Sequence, residues 1–277
     1  MSNLFRAGML RLKKNRMFWM CMFAVAAYDA FACVLRYKEM RQYDMVYRLD
    51  DLLYLYVVPL GILIATVLGM FWGTEYSEGT VRNKIISGKS RTQIYLSGWL
   101  VSMLAAVFIY LMGLLGTCAF GIPLFGFAKS SILQLVCMES AGILASMAYA
   151  SIFYAIAMVC QSKAHTVLIC ELLAFILLFA GIFLMQKLSA PAMIDAAELS
   201  VSGEVRIVQE VNPGYLSGMK REVYAFFFDL LPSGQTMQLM EDINGEVNVV
   251  RMIALAVIDS IASSAVGMYL FCRRDIK

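Results

Sequence analysis

The chain has 277 residues, of which 61% are hydrophobic and only 16% are charged, and its mean hydropathy is +0.72. Soluble domains are about half apolar and about one quarter charged, so this composition excludes a water-soluble globular fold and requires a membrane as solvent. The net charge of +3 forms no basic stripe, and we therefore expect no nucleic-acid partner.

Six apolar stretches are long enough to cross a bilayer as helices, since a hydrocarbon core of about 30 Å needs about 20 residues. They cover residues 17–35, 52–73, 94–122, 132–160, 166–185 and 252–271. The stretches are continuous and lack the alternation of outer-membrane strands. The sequence therefore predicts an all-α polytopic membrane protein with six transmembrane helices.

The first stretch has one alternative interpretation, a cleaved signal peptide. Ala30-Phe31-Ala32-Cys33 is similar to a small-residue cleavage site or a lipobox. However, Asp29 interrupts the end of the apolar region, Phe31 is large for a lipobox, and five more spans follow. We expect a retained first helix.

Lysine and arginine near the span ends predict the orientation. With a cytoplasmic N-terminus, the inner segments hold 13 basic residues against three acids, Glu75, Glu78 and Asp275. Five of the basic residues precede the first span. The sequence predicts that both termini are cytoplasmic.

An outer segment, residues 186–250, joins the last two spans. Pro213-Gly214 and Pro232-Ser233-Gly234 are typical of turns. Between them, residues 219–231 predict a short helix, too short to span and suited to an interfacial or packed position.

The loop between the second and third spans, residues 73–98, contains Gly88-Lys89-Ser90, the ending of a P-loop. The first glycine of that motif would fall at Asn83, and no buried strand precedes it. We therefore expect no ATP site on this chain. Instead, residues 80–86 predict a short amphipathic helix with Val81, Ile85 and Ile86 on one side.

Two interpretations of this loop remain open from the residues alone. It could be an ordinary basic loop that anchors the chain by the positive-inside rule. It could also be a docking helix for a soluble partner, with charges that orient the partner and an apolar face that contacts it.

The loop resembles the first cytoplasmic loop of bacterial type-2 ABC exporter permeases, in which E-Y-x-x-G-T-x-R-N-K is followed by K-S-R. The resemblance implies an ATPase-coupling loop that includes Glu75, Tyr76, Glu78, Gly79, Thr80, Arg82, Asn83, Lys84, Lys89 and Arg91.

Three further segments are similar to that family. Residues 4–16 resemble its amphipathic connecting helix, with Leu4, Phe5, Met9 and Leu12 as a stripe. Residues 212–218 and 229–235 of the outer segment and the tail 271–277 are also similar. The resemblance implies an amphipathic cytoplasmic helix, residues 1–16, and a permease domain, residues 17–277.

The resemblance also implies partners and a location. It implies a bacterial cytoplasmic-membrane subunit that forms a dimer with a second copy or a paralogue and couples to a separate ATPase subunit. ATP and Mg would bind that ATPase, with no cofactor on this chain, while membrane lipid surrounds the spans. The cargo is left open.

Four acids lie within the apolar stretches: Asp29, Glu139, Glu171 and Asp259. Charge inside a membrane is costly and marks a candidate functional site. Glu139 and Glu171 lie near span ends, whereas Asp29 and Asp259 lie deeper and are possible polar residues of a translocation path or structural hydrogen-bonding groups.

Small residues form two stripes, Gly61-x3-Ala65-x3-Gly69-x3-Gly73 and Gly142-x3-Ser146-x3-Ala150, which permit close helix packing. We expect seams within one subunit more than a dimer interface. Pro59 predicts a kink in the second span.

The alternatives to an exporter permease are a membrane-embedded enzyme and a channel or scaffold without an ATPase. H-E-x-x-H and G-x-S-x-G are both absent, and His165 is the single histidine. We therefore do not expect an enzyme.

Overall fold

The structure is a computed structural model, and it describes residues 1–160, 162–199, 205–241 and 248–274. The chain is 81% helical with almost no sheet, which confirms the predicted all-α membrane fold. Six helices in the described part are long and apolar enough to cross a membrane: α2 (Arg16–Tyr43), α3 (Val57–Ser77), α5 (Arg91–Phe125), α6 (Ile132–Val159), α7 (Lys163–Leu188) and α10 (Val249–Arg273).

Shorter elements flank these spans. They are α1 (Ser2–Lys14), α4 (Thr80–Ile86), the strands β1 (Met193–Leu199) and β2 (Val205–Val211), α8 (Gly218–Leu230) and α9 (Pro232–Glu241). We call the side of the bundle with α1 and α4 the loop side, and the opposite side, with the strands and α8, the far side.

Polar caps set where the spanning helices begin. Asn15, Ser90, Ser131 and Asn248 each accept a hydrogen bond from the backbone amide three residues on, at 3.1–3.3 Å. These contacts satisfy amides that have no partner within the helix. In the rest of each spanning helix, the backbone amides and carbonyls bond to each other, because hydrocarbon offers them no other hydrogen-bond partner.

The second span begins five residues later than predicted. Residues 49–56 form turns, with the amide of Leu52 bonded to the carbonyl of Leu49 at 3.0 Å. The apolar residues of this stretch pack inside the bundle: Leu52 is 1% exposed and Tyr56 is fully buried against Gly113. Apolar composition alone could not distinguish a buried turn from a membrane span.

The predicted kink at Pro59 is wrong. Pro59 is the third residue of α3, and the helix continues without interruption from Val57 to Ser77. In the first turn of a helix the missing amide of proline has no partner to lose, so the ring fits without a bend.

The small-residue stripes form seams within the chain, as expected. A Cβ atom at Gly69 would lie 3.2 Å from the Cα of Val167 on α7, and one at Gly73 would lie 3.0 Å from the Cα of Lys163. Gly61 packs on Tyr149 and Gly142 on Tyr110. Small residues thus bring the backbones of α3 and α7 into close contact.

Helices α3, α5 and α6 form the buried centre of the bundle. Trp72 donates to the hydroxyl of Ser102 at 2.8 Å, Trp99 to Ser151 at 2.8 Å, and the Tyr154 hydroxyl to the carbonyl of Tyr95 at 2.9 Å. By contrast, α2, α7 and α10 expose large apolar side chains, such as Phe23 at 74%, Phe179 at 66% and Val266 at 60%. Such faces suit a hydrocarbon solvent.

The outer segment contains elements that the sequence did not predict. β1 and β2 form an antiparallel hairpin in which Met193 pairs with Val211. The helix predicted at 219–231 is confirmed as α8. The turn predicted at Pro232-Ser233-Gly234 is wrong, because Pro232 begins α9.

Helix α9 folds back into the bundle between α6, α7 and α3. Its polar side chains are buried: Ser233, Gln235 and Thr236 are each 0% exposed. The Gln235 side chain donates to the Asp229 carbonyl at 2.9 Å, and Gly181 on α7 leaves room for Ser233. The α8–α9 pair therefore closes over the far side as a packed, re-entrant hairpin.

Candidate functional site

The candidate site is the hairpin formed by the end of α3, the short helix α4 and the start of α5. Glycines with left-handed backbone flank α4: Gly79 has φ 67° and Gly88 has φ 81°. The amide of Gly88 bonds to the carbonyl of Ile85 at 2.9 Å, and that of Lys89 to Lys84 at 3.2 Å. Glycine adopts positive φ without steric cost, so these two residues permit the tight reversals.

Glu75 joins three elements on the loop side. It lies in the last turn of α3, and its side chain is only 7% exposed. Arg11 on α1 donates to one carboxylate oxygen, and the Lys84 ammonium on α4 lies 2.6 Å from the other. The predicted loop residue Glu75 therefore anchors the hairpin from inside the fold.

Lys84 lies on the inner face of α4. Its side chain is 17% exposed, and its ammonium lies 5.8 Å from the ring centroid of Trp72. Burial lowers the pKa of Lys84 below its ordinary value, while the carboxylate of Glu75 opposes that change. A partly buried cation with a carboxylate partner fixes α4 against α3.

The apolar face of α4 differs from the prediction in one residue. Val81 is 1% exposed and Ile85 packs on the core, as expected. Ile86 is 72% exposed, which contradicts its predicted place on the same face. The reason is the helical period: Ile86 lies one residue past Ile85 and shares a face with Arg82, four residues earlier.

The outward surface of the hairpin is therefore mixed. Arg82, Asn83 and Ile86 are exposed on α4, and Glu78 and Lys89 are exposed beside its two ends. Thr80 is half-buried. An exposed isoleucine between charged and amide groups is typical of a protein contact surface, in which a few apolar anchors sit within a polar rim.

Two predicted residues hold the helix ends together. The Tyr76 hydroxyl donates to the carbonyl of Met158 at 2.7 Å, which joins α3 to the end of α6. The Arg91 guanidinium donates to the carbonyls of Cys272 and Arg274, at 2.9 and 2.6 Å, beside the end of α10. The carbonyls of Met158 and Cys272 lie in the last turns of their helices, where the intrahelical amide partner is missing, and a side-chain donor satisfies each of them.

Arg274 is a further member of this network that the sequence reasoning did not single out. Its guanidinium donates to the carbonyl of Val159, the last residue of α6. The pair Arg273-Arg274 after the last apolar stretch was the available signal, but nothing in one sequence shows which carbonyl an arginine reaches.

The intramembrane acids occupy separate places. Asp29 on α2 is 1% exposed and lies against Gly116 of α5, while Asp259 lies on α10, which packs chiefly on α6. Within the described residues, neither oxygen of Asp29 nor Oδ2 of Asp259 has a hydrogen-bond partner. The two acids thus lie on different pairs of packed helices, α2 with α5 and α10 with α6.

The other two acids have hydroxyl partners. Tyr110 donates to Glu139 at 2.9 Å, and Thr66 on α3 donates to Glu171 on α7 at 2.5 Å. These contacts join neighbouring helices within the bundle, which lowers the cost of a carboxylate in hydrocarbon.

The family of the chain follows from a comparison with known protein families. The sequence model of the ABC-2 family transporter proteins matches residues 4–189, from α1 through α7 and including the hairpin. The chain belongs to the ABC-2 transporter family. No curated protein matches the sequence at a significant level.

Membership confirms the resemblance to type-2 ABC permeases and gives the general role of the chain. It is a permease-like, multi-pass integral membrane component of an ABC transporter. The family implies an ATPase partner and is not a family of catalytic subunits. The division into residues 1–16 and 17–277 remains a prediction.

Proposed function

We propose that this chain is the permease subunit of an exporter and that the hairpin around α4 docks a separate ATPase subunit. The observation that carries the proposal is the two-sided build of α4. Its inner face is fixed by Val81 and by the Lys84–Glu75 pair, while Arg82, Asn83 and Ile86 face outward with their side chains exposed.

A docking element needs an inner face that is fixed to the protein and an outer face that is exposed to the partner. A loop that moved freely would absorb a displacement of the partner, whereas a helix fixed to α3 and α1 passes it to the spans. The exposed Arg82 would orient the ATPase, and Ile86 would supply the apolar contact, because charges steer an encounter and apolar anchors carry the affinity.

Orientation supports the same role. The loop side carries the basic residues before α2 and between α3 and α5, and by the positive-inside rule this supports our proposal that α1, α4 and both termini lie in the cytoplasm, which we take to be that of a bacterial cell. An ATPase that uses ATP and Mg would meet α4 there. A second copy or a paralogue of the permease would complete the path, in which Asp29 and Asp259 are the polar residues to test.

Three substitutions test the docking surface. Arg82→Ala and Ile86→Ala remove exposed contacts, and each should weaken the ATPase complex by about 30-fold if it is a contact residue worth about 2 kcal/mol. Gly79→Val should shift α4, because a residue other than glycine at this positive φ costs about 1–2 kcal/mol.

Two controls match these variants. Arg16→Ala removes an exposed arginine on the loop side without touching α4, and Ser77→Ala changes an exposed hydroxyl at the last residue of α3. The measurement is ATPase subunit retained on tagged permease purified from membranes, together with cargo export. The proposal fails if the Arg82 and Ile86 variants retain the ATPase as fully as the Arg16 variant does.

A further inference from the structure

An apolar groove lies where α1 meets the beginning of α2 and the side of α5. Its volume is about 350 Å³, within the usual range of ligand sites. Leu10, Trp19 and Phe108 line it and are 54%, 52% and 42% exposed. Because Trp19 and Phe108 belong to spanning helices, the groove opens towards the edge of the membrane.

Two cations line the same groove. Arg6 and Lys13 lie on the face of α1 that carries Leu10, at the seven-residue spacing that places side chains on one side of a helix. Both are exposed, and among the described residues neither forms an ion pair. The first acidic residue of the chain is Asp29, so no nearby carboxylate in the sequence competes for them.

The groove is a fixed feature of the fold. Gly8 lets α1 pack closely on Val101 of α5, where an added Cβ atom would lie 2.8 Å from a valine methyl group. The indole of Trp19 donates to the carbonyl of Lys13 at 2.7 Å, which orients the ring along the end of α1.

We propose that this groove binds one anionic phospholipid, with its headgroup on Arg6 and Lys13 and an acyl chain along Leu10, Trp19 and Phe108. The occupant must be anionic at one end and apolar at the other, and it must enter from the bilayer. A basic pocket beside spanning helices is the recognised setting for anionic headgroups.

The site has a consequence for the hairpin. Arg11, which pairs with Glu75, lies on the side of α1 opposite Arg6 and Lys13. A bound lipid would therefore hold α1 in the membrane surface while Arg11 contacts Glu75 at the end of α3. This inference concerns lipid binding alone and does not depend on the ATPase proposal.

The test uses brominated lipids, which quench tryptophan fluorescence on contact. The full-length protein is placed in nanodiscs of zwitterionic phosphatidylcholine that contain increasing amounts of brominated phosphatidylglycerol or, in a parallel series, brominated phosphatidylcholine. Trp19→Phe identifies the part of the signal that comes from the groove, since Trp72 and Trp99 remain.

In the wild type we expect brominated phosphatidylglycerol to quench Trp19 at much lower mole fractions than brominated phosphatidylcholine. Each basic residue near an anionic surface contributes about 1 kcal/mol, which corresponds to about fivefold in affinity. Arg6→Gln or Lys13→Gln alone should therefore reduce the preference for phosphatidylglycerol by about fivefold, and the two together by about 30-fold. Lys14→Gln with Arg16→Gln is the matched control: it removes the same charge from exposed residues outside the groove and should leave the preference nearly intact.

Three results would overturn the proposal. Equal quenching by both lipids in the wild type would show an apolar groove without headgroup selection, and this measurement needs no variant to fold. If the groove pair (Arg6→Gln with Lys13→Gln) and the control pair (Lys14→Gln with Arg16→Gln) have equal effects, the lipid preference comes from the overall surface charge and not from the groove. Quenching of Trp19 by neither lipid would show that another protein surface, such as a second copy, covers the groove.

Discussion

Replacing Glu75 with glutamine should release α4 from the end of α3. The substitution keeps the size of the side chain but removes the charge that both Arg11 and Lys84 contact. The ammonium of Lys84 would then remain 2.6 Å from a neutral amide in a site where its side chain is only 17% exposed.

The size of the destabilisation follows from the unequal exposure of Lys84 and Arg11, the two partners of Glu75. Breaking a buried ion pair costs about 3–5 kcal/mol, and the partial exposure of Lys84 favours the lower end, about 3 kcal/mol. Arg11 is 41% exposed, so its contribution is below about 1 kcal/mol. Lys84 therefore accounts for most of the effect.

Hydrogen–deuterium exchange of the α4 amides measures this release. A loss of about 3 kcal/mol corresponds to exchange faster by about 150-fold, up to the rate of an unprotected peptide. Arg11→Gln should change protection by less than about fivefold. Glu75→Gln combined with Lys84→Met removes both charges and should recover about 1–3 kcal/mol of the loss. Unchanged protection of α4 in the Glu75 variant would refute the anchoring role of this carboxylate.

Three more predictions concern a contact between helix ends, the orientation of the chain and a carboxylate before α3. Tyr76→Phe removes the hydrogen bond to the end of α6 and should cost about 0.5–1.5 kcal/mol, measured as a lower midpoint of thermal unfolding in detergent. Cysteine should react with an impermeant thiol reagent on intact cells after Ser217→Cys but not after Ser90→Cys; the reverse pattern would overturn the orientation. Asp50 bonds to the backbone at 129 and 130, and although burial raises its pKa, these hydrogen bonds outweigh burial and lower it below 3.8. Ionised Asp50 thus stabilises the folded state above pH 3.8, and amide protection at 129 and 130 should persist there and fall only as the pH drops through the lowered folded pKa.

The sequence was most informative where one physical requirement determined the pattern. Spanning helices need long apolar runs, and six such runs predicted six spans. The bounds of α4 were also predicted, because glycines at 79 and 88 flank a run with one apolar side. The stripe on α1 was predicted in the same way: Leu4, Phe5 and Met9 pack on the core and Leu12 is 2% exposed.

The failures concern contacts between segments that are distant in the sequence. The polar run that begins at Pro232 predicts a turn, but it forms α9, which packs on α6 and α7, where Gly181 leaves room for Ser233. Glu75 suggested a partner contact because its pairing with Arg11, 64 residues away, leaves no local signal. The residue pattern of one sequence predicts which residues are buried more readily than it predicts which residues they contact.

Helix α3 connects the hairpin to the far side of the bundle. Its 21 residues extend about 32 Å at 1.5 Å per residue, enough to cross the hydrocarbon core. Glu75 at one end fixes α1 and α4, and the helix also packs against the re-entrant α9. Between these contacts, Gly69 and Gly73 bring its backbone against α7, where a larger residue would meet Val167 or Lys163. A displacement of α4 would act directly on α3, because Lys84 on α4 pairs with Glu75 and lies beside Trp72 on α3. Coupling between the two sides needs packed contacts of this kind, and α3 supplies them at both ends, with Glu75 on the loop side and α9 on the far side.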